Sequence, residues 1–316
     1  MVTRLARIVA KSKFIRSQSI IKTLVTKYAI PSYLRLIGGK IHTDDYVFFV
    51  DGRDSKAVMN FIYYILDGNV DIETYSEAYE VEVFSTLTAN HPKAIVIDIG
   101  ANYGMYTLAA CSQRRQTDSI SVVAVEPDSR VFACLNKSVS YNSWQMICHP
   151  VHAAAGSRHN DSCGLARHKK QSSFNFTLPL SSGQCPADYE IASSVRVVTV
   201  DGLVKDLEIA PKEVIVKIDI EGNEIHAIEG MKKTLESCSG YIIFCEYSVN
   251  RMNIAGNQPE KLLDQIYSLG RDGVYEIDSK TESIVQIKRS AELLQEGRRF
   301  CNLLIVKNMD ISSVFS

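Results

Sequence analysis

Short apolar runs alternate with amphipathic stretches from residue 94 onward. Five runs have the length and β-branched content of buried strands: AIVIDIG (94–100), SVVAVEP (121–127), MICHPVHAAAG (146–156), VIVKIDI (214–220) and YIIFCEY (241–247). The stretches between them predict helices: YGMYTLAACSQ (103–113), PDSRVFACLNKSVSYN (127–142) and NEIHAIEGMKKTLES (223–237). Because strands alternate with helices, the sequence predicts a doubly wound, mostly parallel α/β sheet with right-handed crossovers.

Three other segments depart from this alternation. Residues 1–90 predict mostly helix, with one short strand at YVFFV (46–50). Residues 157–200 are rich in Ser, Asn and Gly, and their runs SSFNFTLPL and SVRVVTV alternate like strands, which predicts a β-rich insertion. The C-terminal runs GVYEID, SIVQIK and CNLLIVK predict short strands that extend the sheet, with antiparallel pairing open to them.

Charge sets the N-terminus apart from the rest of the chain. The 316 residues carry 35 Lys and Arg against 36 Asp and Glu, so no overall positive field is available to hold nucleic acid. Residues 1–40 nevertheless contain nine basic side chains and no acidic one. We expect residues 1–74 to form a helical extension, a lid or partner surface, ahead of a domain at 75–310. The basic segment predicts either solvated helices packed on that domain or contact with an anionic membrane or an assembly partner.

Composition and cysteine usage indicate a globular protein of a reducing compartment. Hydrophobic residues make up 46% and charged residues 22% of the chain, which excludes a disordered or collagen-like protein. The eight cysteines form no C-x-x-C pair and several lie inside apolar runs, so we expect reduced, buried thiols and no disulfide or zinc site. No uninterrupted apolar stretch reaches the ~20 residues of a membrane span. A cytoplasmic location is predicted, with peripheral membrane contact through the basic segment as the alternative.

Strand ends carry the candidate chemistry, because ligands of doubly wound sheets bind beyond the carboxyl ends of the strands. The first strand ends in the glycine-rich turn D-I-G-A-N-Y-G, residues 98–104, where Gly100 and Gly104 let the backbone approach a ligand closely. The second strand ends in Glu126, where a carboxylate is placed to accept both hydroxyls of a ribose. Together these features predict a nucleoside-containing cofactor.

The glycine spacing limits which cofactor this is. A dinucleotide fingerprint reads G-x-G-x-x-G, and its middle glycine lets the pyrophosphate lie on the helix N-terminus. Asn102 occupies that middle position, and the sequence contains no G-x-x-x-x-G-K-[ST] phosphate loop. A cofactor without phosphate suits such a turn, and S-adenosylmethionine (SAM) offers ribose, adenine and an amino group. Asp98 could then hold the ammonium of SAM, directly or through water.

Several of these motifs resemble those of the FkbM-type SAM-dependent methyltransferases. The resemblance spans residues 75–307 and rests on VIDIGANYGMYTL, VVAVEP, VRVVTVDGLV, VKIDIEGNEIHAIEGMKKTL and the closing NLLIVK. It implies a class I, Rossmann-like sheet of seven strands and methylation of hydroxyl groups on sugars or related natural products. It also implies that SAM, with S-adenosylhomocysteine as its product, is held by Asp98, Gly100, Ala101, Asn102, Gly104, Thr107, Glu126, Pro127, His152, Ala153, Ala154 and Asp219. Within this set, residues 152–154 would lie near the adenine.

The third informative strand end is K-I-D-I-E-G-N-E, residues 217–224. Side chains alternate along a strand, so Asp219 and Glu221 face the same way until the glycine turns the chain. Glu224 then falls in the first turn of a helix, where a carboxylate is favourable. These acids either cap the helix and pair with Lys217, or face the sulfonium of the cofactor.

Methyl transfer to an alcohol would give these acids a catalytic role. An alcohol has a pKa far above physiological pH, so transfer needs in-line placement and a group that accepts the proton. Asp219 is the first candidate for that base. Glu246, at the tip of the fifth strand, is the second, and Glu221 completes the catalytic set.

Acceptor-binding candidates lie on the helix that leads into the first strand. Tyr75, Tyr79 and Glu80 either pack against the sheet or form an aromatic and acidic wall over the cofactor or a sugar ring. Glu224 is a further candidate for the acceptor site. The histidines nearest the site, 149 and 152, lie three residues apart without a third ligand nearby, so we expect no metal.

The sequence therefore predicts a SAM-dependent O-methyltransferase that acts on a hydroxyl of a sugar, glycan or related natural product. Its expected partner is a small-molecule or glycan acceptor, and not a nucleic acid. An NAD(P)-dependent oxidoreductase on a similar sheet is the rival enzyme, and the missing third glycine disfavours it. A catalytically inactive, methyltransferase-like binding module is the alternative outside the enzymes.

Overall fold

The computed structural model describes residues 38–43, 45–54, 78–114, 119–169, 172–179, 185–288 and 300–315. Most of the basic N-terminal segment and Tyr75 lie outside these ranges. The predictions of a helical extension and of a membrane or partner contact through it therefore stay predictions, as do the domain boundaries. Within the described ranges, no helix has the length and apolar character that crossing a membrane requires.

The first described elements alternate strands and helices after an antiparallel hairpin. In chain order they are β1 (Lys40–His42), β2 (Val47–Phe49), α1 (Ala78–Asn90), β3 (Ile95–Ile99), α2 (Met105–Ser112), β4 (Val122–Glu126), α3 (Ser129–Tyr141) and β5 (Cys148–His152). Helix α3 begins after Asp128, whose side chain accepts a hydrogen bond from the amide of Arg130. A carboxylate at this position satisfies an otherwise unpaired amide of the first turn and so stabilises the helix start.

A second sheet follows β5. Its strands are β6 (Ala154–Ala155), β7 (Asp161–His168), β8 (Phe176–Leu178) and β9 (Tyr189–Val198), in the spatial order β6-β9-β7-β8. The alternating pattern of residues 157–200 thus corresponds to β structure. The run SSFNFTLPL contributes only three strand residues, because a 3-10 turn at Ser172–Phe174 precedes β8.

The remaining elements complete the central sheet. They are α4 (Val200–Asp206), β10 (Glu213–Ile218), α5 (Glu224–Glu229), α6 (Lys232–Ser237), β11 (Gly240–Ser248), α7 (Val249–Ala255), α8 (Pro259–Leu269), β12 (Gly273–Asp278), β13 (Ser283–Gln286) and β14 (Phe300–Lys307). The single helix predicted over 223–237 is two helices, broken at Gly230. The Gly230 carbonyl accepts the Asp201 amide at 3.0 Å, and a Cβ at 230 would lie 2.1 Å from the Gly156 carbonyl oxygen.

The central sheet has the order β13-β12-β14-β11-β10-β3-β4-β5. Strands β11, β10, β3, β4 and β5 are parallel neighbours, which confirms the doubly wound prediction. The C-terminal strands β14, β12 and β13 pair antiparallel at one side. The sheet has eight strands, one more than the predicted seven, because β12 and β13 form a hairpin that adds an edge strand.

Helices cover both faces of this sheet, so alternate strand residues enter two separate cores. The first core packs against α1, α2 and α3 and contains Val96, Ile215 and Phe244. The second packs against α5, α6 and α8 and contains Ile97, Val216 and Ile243. Since side chains alternate along a strand, the polar residues near the carboxyl ends of β3 and β10 share the first face.

Candidate active site

The turn after β3 lies directly against the end of β10. Gly100 has a φ of +81°, and a Cβ there would lie 1.9 Å from the carbonyl oxygen of Asp219. Gly104 has a φ of +92°, and a Cβ there would lie 2.6 Å from Leu135 Cδ1. Only glycine combines a left-handed backbone with such close approach at low cost. Ala101 is buried in the same turn. Because Gly100 lies against the carbonyl of Asp219, the glycine-rich turn and residues 217–224 form one site.

Glu126 closes the same turn from the end of β4. Its Oε2 accepts the amide of Asn102 at 2.9 Å, and its Oε1 accepts the amide of Asp128 at 2.7 Å. Burial raises the pKa of Glu126 to about 8, although these amides oppose the shift. Glu126 therefore organises the turn at the strand end where the sequence predicts a ribose-binding carboxylate.

Asp98 lies beneath the turn rather than in an open cleft. It is 1% exposed, and its Oδ2 accepts a hydrogen bond from the buried Thr107 hydroxyl at 2.6 Å. Burial raises the pKa of Asp98 to about 6, against the hydrogen bond from Thr107 and the charge of Lys217. The observed role of Asp98 and Thr107 is to join α2 to the end of β3, and their contact with a cofactor stays a prediction.

Three buried carboxyl groups should make the ligand-free protein less stable as the pH rises. Burial raises the pKa values of Asp98, Glu224 and Glu126 to about 6, 7 and 8. The same groups in the unfolded chain lose their protons near pH 4, so the folded state binds more protons from there up to about pH 8. Their stabilising contribution is complete below about pH 4 and is lost as the pH rises through the folded-state values.

We expect the free energy of unfolding, measured by urea titration, to fall as the pH rises from about 5 to about 8. The slope is at most about 1.4 kcal/mol per pH unit for each group that is protonated in the folded state and ionised in the unfolded chain. Glu126→Gln removes the group with the highest of these three pKa values and should make the profile less steep above about pH 7. A free energy of unfolding that stays constant or rises over this interval would contradict the burial of these acids.

The predicted adenine segment lies at the end of β5. His152 Nε2 is 3.1 Å from the carbonyl oxygen of Pro127, and the His152 ring stacks on Phe132 with centroids 5.1 Å apart. Ala153 and Ala154 are both buried, each in a separate small hydrophobic core. The segment therefore presents one exposed ring, that of His152, beside the Glu126 strand end.

Asp219 follows the end of β10 and Glu246 lies in the neighbouring parallel strand β11, and their carboxylate oxygens lie within 4.8 Å of each other. Burial raises the pKa of Glu246 well above its usual range, and the charges of Asp219 and Glu221 raise it further. Lys217 Nζ lies 3.1 Å from Asp219 Oδ2. The two predicted base candidates are thus one carboxyl pair beside an ammonium group.

Glu221 and Glu224 are held by different partners. Glu221 Oε2 lies 2.7 Å from Arg251 Nε. The backbone of Glu221 is left-handed, with a φ of +57°. Glu224 occupies the first turn of α5, as predicted, and its Oε1 accepts the amides of Ile220 and Gly222 at 3.1 Å each. Burial raises the pKa of Glu224 to about 7. Glu224 therefore stabilises the turn, and its assignment to the acceptor stays a prediction.

The acids at this end of the sheet also form a potential set of metal donors. Asp219, Glu221 and Glu246 each offer a carboxylate oxygen, and these atoms lie within 4.8 Å of one another. Hard divalent cations bind such oxygens. Lys217 and Arg251 already contact two of these acids, and the third has a strongly raised pKa. The protein's own groups account for the charge of the cluster, and the expectation of no metal stays a prediction.

The second sheet brings side chains to the site that the sequence pattern does not identify. Ser172 Oγ lies 3.2 Å from Asn102 Oδ1. The guanidinium carbon of Arg251 lies 4.1 Å from the ring centroid of Phe174. The Ser172–Phe174 turn therefore extends from the glycine-rich turn to the Arg251–Glu221 ion pair. In the sequence, the only signal for Arg251 is a basic residue four positions after the fifth predicted strand, and nothing singles out the turn.

Asp128 connects the same sheet to the start of α3. Arg167 Nε donates to its Oδ2 at 2.6 Å, and Asn175 Nδ2 donates to the same oxygen at 3.1 Å. Burial alone would raise the pKa of Asp128, but the hydrogen bonds and charges of Arg167 and Arg130 hold it below its usual value. The insertion is thus joined to the cofactor side of the site by a buried ionic network.

A cavity of about 220 Å³ opens beside the glycine-rich turn. It is lined by Asp51, Arg53, Asp54, Tyr103, Arg130, Val131, His168, Lys169 and Ser172. Charges of both signs and a tyrosine face the space, so it suits a polar ligand better than an apolar one.

The helix α1 contributes differently from the predicted wall. Tyr79 packs against the first core, which is the first of the two roles predicted for it. Glu80 is buried, and its carboxylate accepts hydrogen bonds from the Ser279 hydroxyl and from Asn302 Nδ2. Asn302 is the register partner of Glu246. Glu80 therefore lies close to the carboxyl pair, with both oxygens engaged by the protein.

Comparison with known proteins places this site in a family. Residues 98–277, more than half of the chain, match the family described as "Methyltransferase FkbM domain". A curated relative, the hexuronic acid methyltransferase AglP of Haloferax volcanii, is 25% identical over 179 residues, which cover 56% of this chain and 67% of that protein.

Solved structures of methyltransferases also overlap much of the chain at low identity. The O-methyltransferase from Bacillus cereus in complex with SAH has 10% identity, covers 76% of this chain and 86% of its own, and gives a TM-score of 0.39. An rRNA methylase from Streptococcus thermophilus has 7% identity, covers 76% of this chain and 99% of its own, and gives 0.38. The family match over residues 98–277 shows that the chain belongs to the FkbM methyltransferase family and is a SAM-dependent methyltransferase.

Proposed function

We propose that this enzyme transfers the methyl group of SAM to a hydroxyl oxygen of a sugar or glycan. The observation that carries the proposal is the carboxyl pair of Asp219 and Glu246, whose oxygens lie within 4.8 Å of each other beside the glycine-rich turn. Transfer to a hydroxyl forms an O–CH3 bond, breaks the S–CH3 bond and releases a proton. A carboxylate at this place can accept that proton as the new bond forms.

The described residues fit SAM at the neighbouring strand ends. Gly100 lets the turn pack directly against the Asp219 carbonyl, which holds the turn at this strand end, and Glu126 presents a carboxylate, which is an acceptor-only group when ionised, for the ribose hydroxyls. Asn102 holds the turn in place through its amide, and the exposed ring of His152 lies on the adenine side. Bound SAM supplies the electrophilic methyl group on a sulfonium. The chain's own task is to orient the two reactants and remove the proton.

The named relative suggests the first acceptors to test. AglP is a hexuronic acid methyltransferase, and we extend a sugar acceptor, including uronic acids, to this chain as part of the proposal. Phe174 and Arg251 lie beside the acids and could contact the apolar face and a polar group of a sugar ring. Because the overall charge is balanced, we do not expect a nucleic acid to be the substrate.

The proposal is tested with methyl-labelled SAM and a panel of glucuronate, galacturonate, glucose and their oligosaccharides. We expect label in a sugar product whose O-methyl linkage is identified by mass spectrometry and proton NMR. Label confined to nitrogen or carbon of an acceptor would overturn the O-methylation proposal. Turnover of a nicotinamide cofactor in place of methyl transfer would favour the oxidoreductase alternative. SAM binding without transfer to any acceptor of the panel would favour an inactive binding module.

A further inference from the structure

Among the lysines that the structure describes, Lys217 is the one that is buried. It is 4% exposed and lies on β10, in the middle of the parallel part of the sheet. Removing an ammonium group from water is costly unless the protein supplies compensating charge and hydrogen bonds. The partners of this side chain therefore indicate what the cation does.

The ammonium of Lys217 faces the first side of the sheet, among groups of the proposed site. Its Nζ lies 3.1 Å from Asp219 Oδ2 and 4.9 Å from the ring centroid of Tyr106 on α2. Asp98 is its direct register partner on β3 and interacts with its charge. Lys217 thus lies between the cofactor side and the carboxyl pair.

The elements around Asp219 bring more negative than positive groups to this end of the sheet. The acids are Asp98 on β3, Glu221 and Glu224 around the turn after β10, and Glu246 on β11. The cations are Lys217 on β10 and Arg251 on α7. Arg251 contacts Glu221, whereas Lys217 contacts Asp219. An ammonium at this distance favours the charged form of the carboxylate.

We propose that Lys217 is a positioning residue that keeps Asp219 ionised and fixed, so that, of the two neighbouring carboxyl groups, Glu246 is the one that holds a proton. Asp219 is then the member of the pair that accepts the acceptor's hydroxyl proton, and Lys217 keeps its own proton throughout. The assignment rests on the proposed function for its catalytic meaning. The protonation pattern itself does not depend on the identity of the acceptor.

The protonation pattern is tested first, without any acceptor, by carbon-13 NMR of protein labelled at the Asp and Glu carboxyl carbons. Signals of the pair are assigned by their loss in Asp219→Asn and Glu246→Gln. In the wild-type enzyme at neutral pH we expect a carboxylate shift for Asp219 and a carboxylic acid shift for Glu246. The reverse pattern in the wild-type enzyme would overturn the proposal, whether or not any Lys217 variant folds.

Two variants then separate charge from shape. Lys217→Gln keeps a hydrogen-bond donor of similar reach without the charge, and Lys217→Arg keeps the charge. In Lys217→Gln the titration midpoint of Asp219 should rise by about one pH unit or more, whereas Lys217→Arg should leave it nearly in place. A midpoint that is unmoved in folded Lys217→Gln, with native near-ultraviolet circular dichroism, would overturn the proposal.

Kinetics with the identified acceptor give the catalytic readout. Lys217→Gln should lower kcat by about 10- to 100-fold, move the acid limb of the kcat profile to higher pH and leave the KM for SAM within about threefold. Lys217→Arg should recover much of the loss. A merely structural role would lower the rate at every pH without moving the limb, and that result would also overturn the proposal. If the wild-type enzyme methylates no sugar, the proposed function fails, while the NMR experiment still decides the role of Lys217.

Discussion

Asp219→Asn is expected to lower kcat by ~10²–10⁴ while the dissociation constant of SAM changes little. Asparagine keeps the volume and one acceptor oxygen of aspartate but loses the charge and nearly all of the basicity. In the structure, Asp219 lies between the Lys217 ammonium and the Glu246 carboxyl, at the strand end that touches the glycine-rich turn. Single-turnover methyl transfer and calorimetric SAM binding, measured on the same preparation, check the two halves of this expectation.

Glu246→Gln is the matched control for the same pair. Burial and the charge of Asp219 raise the pKa of Glu246 well above its usual range, so its carboxyl holds a proton more firmly than an ordinary glutamate does. Glutamine has nearly the shape of the protonated acid and can still donate to Asp219, so we expect a loss of less than about tenfold in kcat. A near-normal saturating rate in Asp219→Asn with a large loss in Glu246→Gln would transfer the role of base to Glu246. Normal rates in both variants would leave a reaction driven by positioning alone.

The sequence is enough to predict the sheet and the acids at its edge. β-branched runs with helical stretches between them define the parallel strands, and acids or glycines at strand ends are exceptions that stand out in such runs. Glu126 and Asp219 are found this way, because each interrupts an apolar run at its carboxyl end. The same pattern cannot show that the carboxyl groups of Asp219 and Glu246 lie side by side, since this depends on which strands become neighbours.

The residues that reach the site from the second sheet and from α7 are harder to predict from sequence. Ser172 and Phe174 reach the site only because the second sheet folds back over the carboxyl ends of the first, and their local sequence resembles any polar loop. Arg251 likewise shows no periodic signal, although it contacts both Glu221 and Phe174. These contacts join positions far apart along the chain, so single-sequence patterns carry no trace of them. Connecting segments vary more than the elements they join, so we expect changes in acceptor preference to arise in this part of the site.

Glu126→Ala is expected to weaken SAM binding by about 10- to 200-fold, the equivalent of about 1.5–3 kcal/mol for one charge-assisted hydrogen bond. The carboxylate lies at the end of β4, and its two oxygens also accept the amides of Asn102 and Asp128. Alanine therefore removes the ribose acceptor and loosens the turn. Ser172→Ala is the control for the second effect, because it removes a contact to Asn102 without touching the carboxylate. Calorimetry on folded protein measures both, and unchanged affinity in Glu126→Ala would reject the ribose assignment.

The pH dependence of binding distinguishes the carboxylate from the loosened turn more sharply. Burial raises the pKa of Glu126 to about 8, and only the ionised group accepts hydrogen bonds from both ribose hydroxyls. SAM affinity in the wild-type enzyme should therefore rise by up to about tenfold per pH unit below pH 8 and level off above it, with a proton released on binding. Calorimetry in buffers of different ionisation enthalpy counts that proton. Ser172→Ala should keep the dependence and Glu126→Ala should lose it, because a disordered turn weakens binding at every pH whereas a missing acid removes the titration itself.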